Sequence, residues 1–169
     1  MRKVVAVLSI AAMSLAAAAS TVRAAGEASP QTLQEAAGAL AKGQPQAAVT
    51  LLTGALQDST LTNDKRAIIL VDRAVAYGRL GQTKAALDDY NRAAQLYPEY
   101  PVLYNNRGVL LLGLGLAAEA IKDFDRAILL SPGYGAAYNN RGNASLQVRD
   151  AEAALRDFGK AIEAMPTSA

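Results

Sequence analysis

The side chains able to do chemistry in this 169-residue chain are amides, carboxylates and guanidiniums, because it contains no Cys, no His and no Trp. Their absence removes disulfides, thiol nucleophiles, imidazole bases and the commonest zinc ligands. What remains is patterned. Tyr104-Asn105-Asn106-Arg107-Gly108 recurs as Tyr138-Asn139-Asn140-Arg141-Gly142, 34 positions later by subtraction of residue numbers. An Asn side chain carries both a donor and an acceptor, so it can hold a peptide's backbone amide twice. Asn105, Asn106, Asn139 and Asn140 at a fixed interval would therefore grip an extended chain whatever its sequence. The same amides have a local use as well, satisfying orphan N–H groups in the first turn of their own helix. Both readings stand at this point. Arg73, Arg107 and Arg141 share the interval with Asp89, Asp123 and Asp157, which predicts one Arg–Asp bridge facing into each repeat. The acids are spread along helix surfaces instead of gathered in a catalytic pair. There is no phosphate loop or dinucleotide glycine motif. No catalytic, cofactor-binding or metal-ligating residue is expected, and no cofactor.

The interval extends beyond the amides. Pro98, Pro132 and Pro166 keep it, as do Ala86, Ala120 and Ala154, then Tyr90, Phe124 and Phe158, and Ala93, Ala127 and Ala161. A period in this range signals a stacked helical array. Apolar spacing and turn residues predict eight helices in four antiparallel pairs with no strand. Ser29-Pro30 reads as a helix start, with Ser as cap and Pro at the first helical position. The first pair runs from Pro30 to Gln57, interrupted at Lys42-Gly43. It aligns with Gly81-Gln82 and Ala85-Ala86 at an offset of 38 because Asp58 to Asp64 forms a longer polar loop. Lys65 to Leu80 pairs with Lys84 to Leu96, which Thr83 is placed to cap. Pro101 to Leu114 pairs with Ala117 to Leu130. Gly135 to Val148 pairs with Ala151 to Met165, with Asp150 as cap.

The first 24 residues read as a secretory signal peptide: Arg2 and Lys3, an apolar run from Val4 to Ala19, then Val22-Arg23-Ala24 before the expected cleavage. The run is too short and too rich in alanine to make a good membrane anchor. Residues 25–29 read as a flexible start. Without Arg2, Lys3 and Arg23 the basic count falls from 17 to 14 against 15 acids, about −1 net. That leaves no nucleic-acid or polybasic membrane footprint. A periplasmic protein with no stable membrane insertion after cleavage is expected, with secretion as the alternative.

With these residues in place, the chain resembles the tetratricopeptide repeat family, whose unit is a 34-residue helix–turn–helix. The large first-helix residue of that family falls on Leu70, Tyr104 and Tyr138, and its small residue on Ala74, Gly108 and Gly142. Its second-helix alanines, aromatic and proline fall on the 34-spaced sets above. The resemblance departs at Leu70, at Leu111 and Ser145 (where Tyr77 keeps the family's tyrosine), and at Arg149, which replaces the turn glycine. It implies an all-α, right-handed superhelix over residues 30–169. A divergent repeat would occupy 30–57 and clear repeats 67–100, 101–134 and 135–168.

By the same resemblance, the chain would be a non-enzymatic scaffold or adaptor that binds a peptide or protein in the concave groove of the first helices. The groove residues would be Val71, Val75, Asn105, Asn106, Val109, Asn139, Asn140 and Asn143. Members that grip a C-terminal carboxylate do so with lysines, an arginine and asparagines. Asn106 matches one asparagine, but Val71, Ala136 and Asn140 fill the basic slots, so no such clamp is expected. Tyr97, Tyr100 and Tyr134 fall at repeat junctions, as packing or as partner contacts. Leu155 and Ile162 would face solvent where a further repeat stacks. This gives the alternative function, an assembly part acting by end-to-end stacking, with weak homo-oligomerisation.

Overall fold

A computed structural model describes residues 28–164, which fall into two compact units, 28–62 and 63–164. The expected signal peptide, most of the flexible start, and Met165 and Pro166 lie outside the described residues. Within them the chain forms eight helices and no strand.

The first unit is one helix pair, α1 (Pro30–Ala41) and α2 (Pro45–Ala55). Ser29 caps α1, its Oγ accepting from Thr32 N at 3.1 Å, and Pro30 takes the first helical position. Pro costs nothing there, because that N–H has no intrahelical partner anyway. Ala36, Ala39, Ala48, Leu52 and Ala55 are buried. Alanine on both helices lets their backbones approach closely. Asp58 organises the loop that follows, its carboxylate accepting from Thr60 N at 2.8 Å and Thr60 Oγ1 at 2.7 Å. This is the Asx geometry that competes with helix continuation.

The second unit holds three pairs: α3 (Asn63–Arg79) with α4 (Thr83–Leu96), α5 (Pro101–Gly113) with α6 (Ala117–Leu130), and α7 (Gly135–Gln147) with α8 (Ala151–Glu163). Besides pairing within each repeat, α3 packs on α5 and α5 on α7. The first helices thus stand side by side as the inner layer of a helical-repeat superhelix. Helix α3 starts two residues before the expected Lys65, because Asn63 and Asp64 favour its positive N-terminal end. Thr83 is itself helical and caps nothing; Gln82 stands at the cap position without a side-chain bond. Asp150 does cap α8, accepting from Ala153 N at 2.9 Å.

Each pair closes on its 34-spaced residues. Gly108 faces the Phe124 ring so closely that a Cβ would lie 2.6 Å from Cε1, and Gly142 meets Phe158 the same way at 2.7 Å. Phe124 also shares a buried cluster with Ala120 and with Ala144 of the next pair, so one ring joins two repeats. The turn after each first helix is left-handed at the same register: Gly81 at φ 71°, Gly115 at 77° and Arg149 at 63°. The next amide then reaches back five residues, from Gln82 N to Tyr77 O at 2.9 Å, Leu116 N to Leu111 O at 3.0 Å and Asp150 N to Ser145 O at 2.9 Å. The helix end is satisfied by a backbone carbonyl. Tyr, Leu and Ser at 77, 111 and 145 therefore all serve.

Candidate functional site

The face offered by α3, α5 and α7 is the candidate site. Three amides on it form a relay. Asn140 Nδ2 donates to Asn105 Oδ1 at 2.9 Å, and Asn105 Nδ2 donates to Asn106 Oδ1 at 3.2 Å. These asparagines bond to one another across the α5–α7 seam, so their amides are not engaged in capping their own helices.

The eight expected groove residues divide by their angle on the helix. Val71 is fully buried and Asn105 nearly so, which takes both off the accessible surface. Neighbouring positions on a helix point about 100° apart, so the residue before Asn106 turns into the seam with the next first helix. Asn139 occupies the same register on α7 yet is exposed, since no further first helix packs on α7 among the described residues. Val75, Asn106 and Asn140 are half-buried, and Val109 and Asn143 are exposed. Val75, Asn106 and Val109 come together around an open hollow of about 590 Å³, shared with Gly78, Arg79 and Leu110. Asn140 joins them through the relay. Asn139 and Asn143 have no bond to it.

Behind this face the three expected bridges are present in one geometry. Arg73 Nε and Nη2 donate to Asp89 at 2.7 and 2.8 Å. Arg107 makes the same fork to Asp123 at 2.7 and 2.7 Å, and Arg141 to Asp157 at 2.8 and 2.6 Å. Arg107 and Arg141 each use Nη1 to reach the preceding repeat, at Asn91 (2.9 Å) and Asp125 (2.6 Å). The guanidiniums lie over Tyr77, Tyr104 and Tyr138 at 5.5–5.7 Å. Hydrogen bonding to the aspartates pushes all three arginines above their ordinary range, against the opposing pull of burial. These groups are fully engaged in joining the two helices of a pair and successive pairs. They hold the inner face in place without reaching a ligand.

Asp72 on α3 is a residue of this face that was not among the expected site residues. At that register the other repeats carry Asn106 and Asn140, so the change from amide to carboxylate was the available signal. Burial raises the Asp72 carboxyl above its ordinary value. Its charge is felt by Tyr90 and Tyr100, whose phenols are raised first by burial and then by that carboxylate. Tyr97 and Tyr100 stack with ring centroids 5.6 Å apart and 6° between planes.

Among the described residues no group of three or more His, Cys, Asp or Glu could hold a metal ion, and no helix is long and apolar enough to cross a membrane.

A family model for the tetratricopeptide repeat matches residues 67–100 and 102–134. No curated protein matches. Among solved structures, a crystal structure of MamA is similar with a TM-score of 0.67 and 25% identity, over 79% of this chain and 75% of that one. The second repeat domain of Spaghetti (RPAP3), bound to the HSP90 peptide SRMEEVD, gives 0.59 and 29%, over 62% of this chain and 90% of that one. PilF of Pseudomonas aeruginosa gives 0.71 and 24%, over 79% of this chain and 60% of that one, a likeness of fold alone. Helix pairs repeating every 34 residues, the matched family model and these neighbours agree: the chain is a tetratricopeptide repeat protein, with the architecture of a protein–protein interaction scaffold.

Proposed function

We propose that the chain is an exported, non-enzymatic adaptor of the cell envelope that holds an extended segment of a partner protein along α3, α5 and α7. The observation that carries this reading is the Asn140–Asn105–Asn106 relay beside an apolar hollow. The relay uses only part of each amide. Asn106 keeps its NH₂ and Asn140 its carbonyl oxygen for a peptide backbone. The buried Asn105 fixes both outer amides, so little side-chain freedom is lost on binding. A repeat domain similar to this chain holds a peptide, which supports a groove as the place of contact. The envelope assignment rests on the sequence of the first 24 residues.

The test is affinity capture from envelope extract, comparing the chain with an Asn106→Ala/Asn140→Ala variant of equal helicity. A partner held by the first and lost by the second supports the groove. A partner held equally by both moves the site elsewhere. Export is tested by fusing residues 1–24 to a reporter active only outside the cytoplasm; an inactive fusion removes the envelope from the proposal.

One observation favours a second reading. Leu155 and Ile162 on α8 are 75% and 69% exposed, although their 34-spaced counterparts Leu87, Ile121, Ala94 and Ile128 are half-buried. The alternative is an assembly part that stacks through α8. Sedimentation of a Leu155→Glu/Ile162→Glu variant decides it: end-to-end association disappears with those two side chains or was not carried by them.

A further inference from the structure

Asp72 stands out within the groove. It is half-buried on α3 and has no hydrogen-bond or ion-pair partner among the described residues. Every fully buried side-chain polar atom in the described structure is partnered, so the Asp72 oxygens must keep contact with solvent. Its sequence neighbour Arg73 is no help, because that guanidinium is committed to Asp89 through two bonds. An ionised carboxylate that is largely desolvated and unpaired is costly. Its natural partner is a cation supplied from outside.

The surroundings suit such a partner. Tyr100 stands at the centre of these groups: Asp72, Tyr134 and Tyr97 each lie within electrostatic reach of its phenol. Tyr97 and Tyr100 are parallel in the turn between α4 and α5, and Tyr134 stands at the equivalent turn one repeat on. All three are half-buried, which leaves ring surface accessible. Glu99 is exposed in the same turn and adds a second negative charge. Tyrosine faces attract cations through the ring quadrupole, and Arg or Lys is the usual occupant.

We propose that Asp72, Tyr97, Tyr100 and Tyr134 form a receptor for one basic side chain, Arg or Lys, of the segment held in the groove. This rests on the groove reading and gives it a polarity: the ligand is cationic at its α3 end, the opposite of an acidic C-terminus. The amide relay holds backbone at α5 and α7, and the carboxylate fixes register by accepting one charged side chain. A neutral side chain at that position would leave Asp72 buried and unpaired in the complex, which is how such a site discriminates.

The test uses three acetylated and amidated nine-residue peptides of Gly, Ala and Ser that differ only at the central residue: Arg, Gln or Glu. Binding to the purified chain is followed by NMR, through the ring signals of Tyr97, Tyr100 and Tyr134 and the side-chain amides of Asn106 and Asn140. The Arg peptide should bind about tenfold more tightly than the Gln peptide, shift the three rings, and rank above the Glu peptide. Asp72→Asn should remove the preference from both sides, the Arg peptide losing affinity and the Gln peptide, which no longer strands a carboxylate, gaining it. Tyr100→Leu should weaken the Arg peptide selectively. If all three peptides shift Asn106 and Asn140 with equal affinity, the groove stands and the basic-residue receptor is overturned. If the Arg peptide shifts the rings and leaves both asparagines unmoved, the receptor stands and the groove reading falls. N-acetylarginine methylamide binding as tightly as the Arg peptide would make this a small-cation site and overturn the peptide assignment. No shift with any probe at millimolar concentration overturns both.

Discussion

Replacing Arg107 with Met and Asp123 with Leu, singly and together, measures what the repeated bridge contributes. Arg107 holds Asp123 through two bonds of 2.7 Å and Asn91 through a third of 2.9 Å, and its side chain is 20% exposed against 10% for Asp123. Asp123 has less access to water and no second cation among the described residues, so Arg107→Met strands a buried carboxylate. Breaking a buried pair from one side costs about 3–5 kcal/mol; partial exposure brings the expectation here to roughly 2–3 kcal/mol. Asp123→Leu leaves a guanidinium that keeps Asn91 and the face of Tyr104 and reaches water more easily, so roughly 1–2 kcal/mol is expected. The double variant strands no charge and puts two apolar side chains side by side. Its loss should be about 1–2 kcal/mol, well below the sum of the singles, a coupling of roughly 2 kcal/mol. Urea denaturation followed by helical circular dichroism gives all three numbers. Additive losses in the double variant would mean that the two residues act separately and that the bridge does not set the geometry between α5 and α6.

Three further outcomes follow from the fold. Gly108→Ala sets a methyl carbon 2.6 Å from the ring of fully buried Phe124, and such overpacking should cost about 1–3 kcal/mol in the same denaturation; a neutral result would show that the ring shifts freely. Arg149 holds a left-handed conformation at φ 63°, where Gly81 and Gly115 stand in the other repeats. Relieving about 1–2 kcal/mol of side-chain strain against glycine's greater unfolded freedom, Arg149→Gly should raise stability by roughly 0.5–1 kcal/mol, and a lower melting temperature would refute it. Asp72 has a folded pKa raised by burial, so the native state binds its proton more tightly than the unfolded chain. The stability that this proton supplies is present below the ordinary value of 3.8 and is lost as pH rises through the raised folded value. Asp72→Asn removes that loss, so the variant's advantage over the parent chain should grow with pH across this window. An advantage that shrinks would place a hidden cation beside Asp72.

What the sequence disclosed and what it withheld divide along one physical line. Features fixed by contacts inside a repeating unit recur in every unit and therefore announce themselves by spacing. Gly108 under Phe124, the Arg107–Asp123 fork and the left-handed turns are all of this kind, and the eight helices followed from them. The groove depends on which way each of two adjacent residues turns and on what stands in the next repeat. Repetition made Asn105 and Asn139 look equivalent. In the structure the first is covered by α7 and bonded to Asn140, whereas the second is exposed. Position in an array of finite length distinguishes identical residues, and periodicity carries no information about it. Capping likewise depended on a shift too small for a pattern to show: Thr83 became the first helical residue instead of the one before it. Asp72 was hidden for the converse reason. Its importance lies in departing from the repeat, as a carboxylate where two later repeats carry an amide. Packing repeated from unit to unit gives this chain the architecture of a scaffold. The residues that break the interval, Asp72 foremost, are where the choice of partner has to be encoded, because the repeated ones are bonded to one another and keep only groups that any peptide backbone can satisfy.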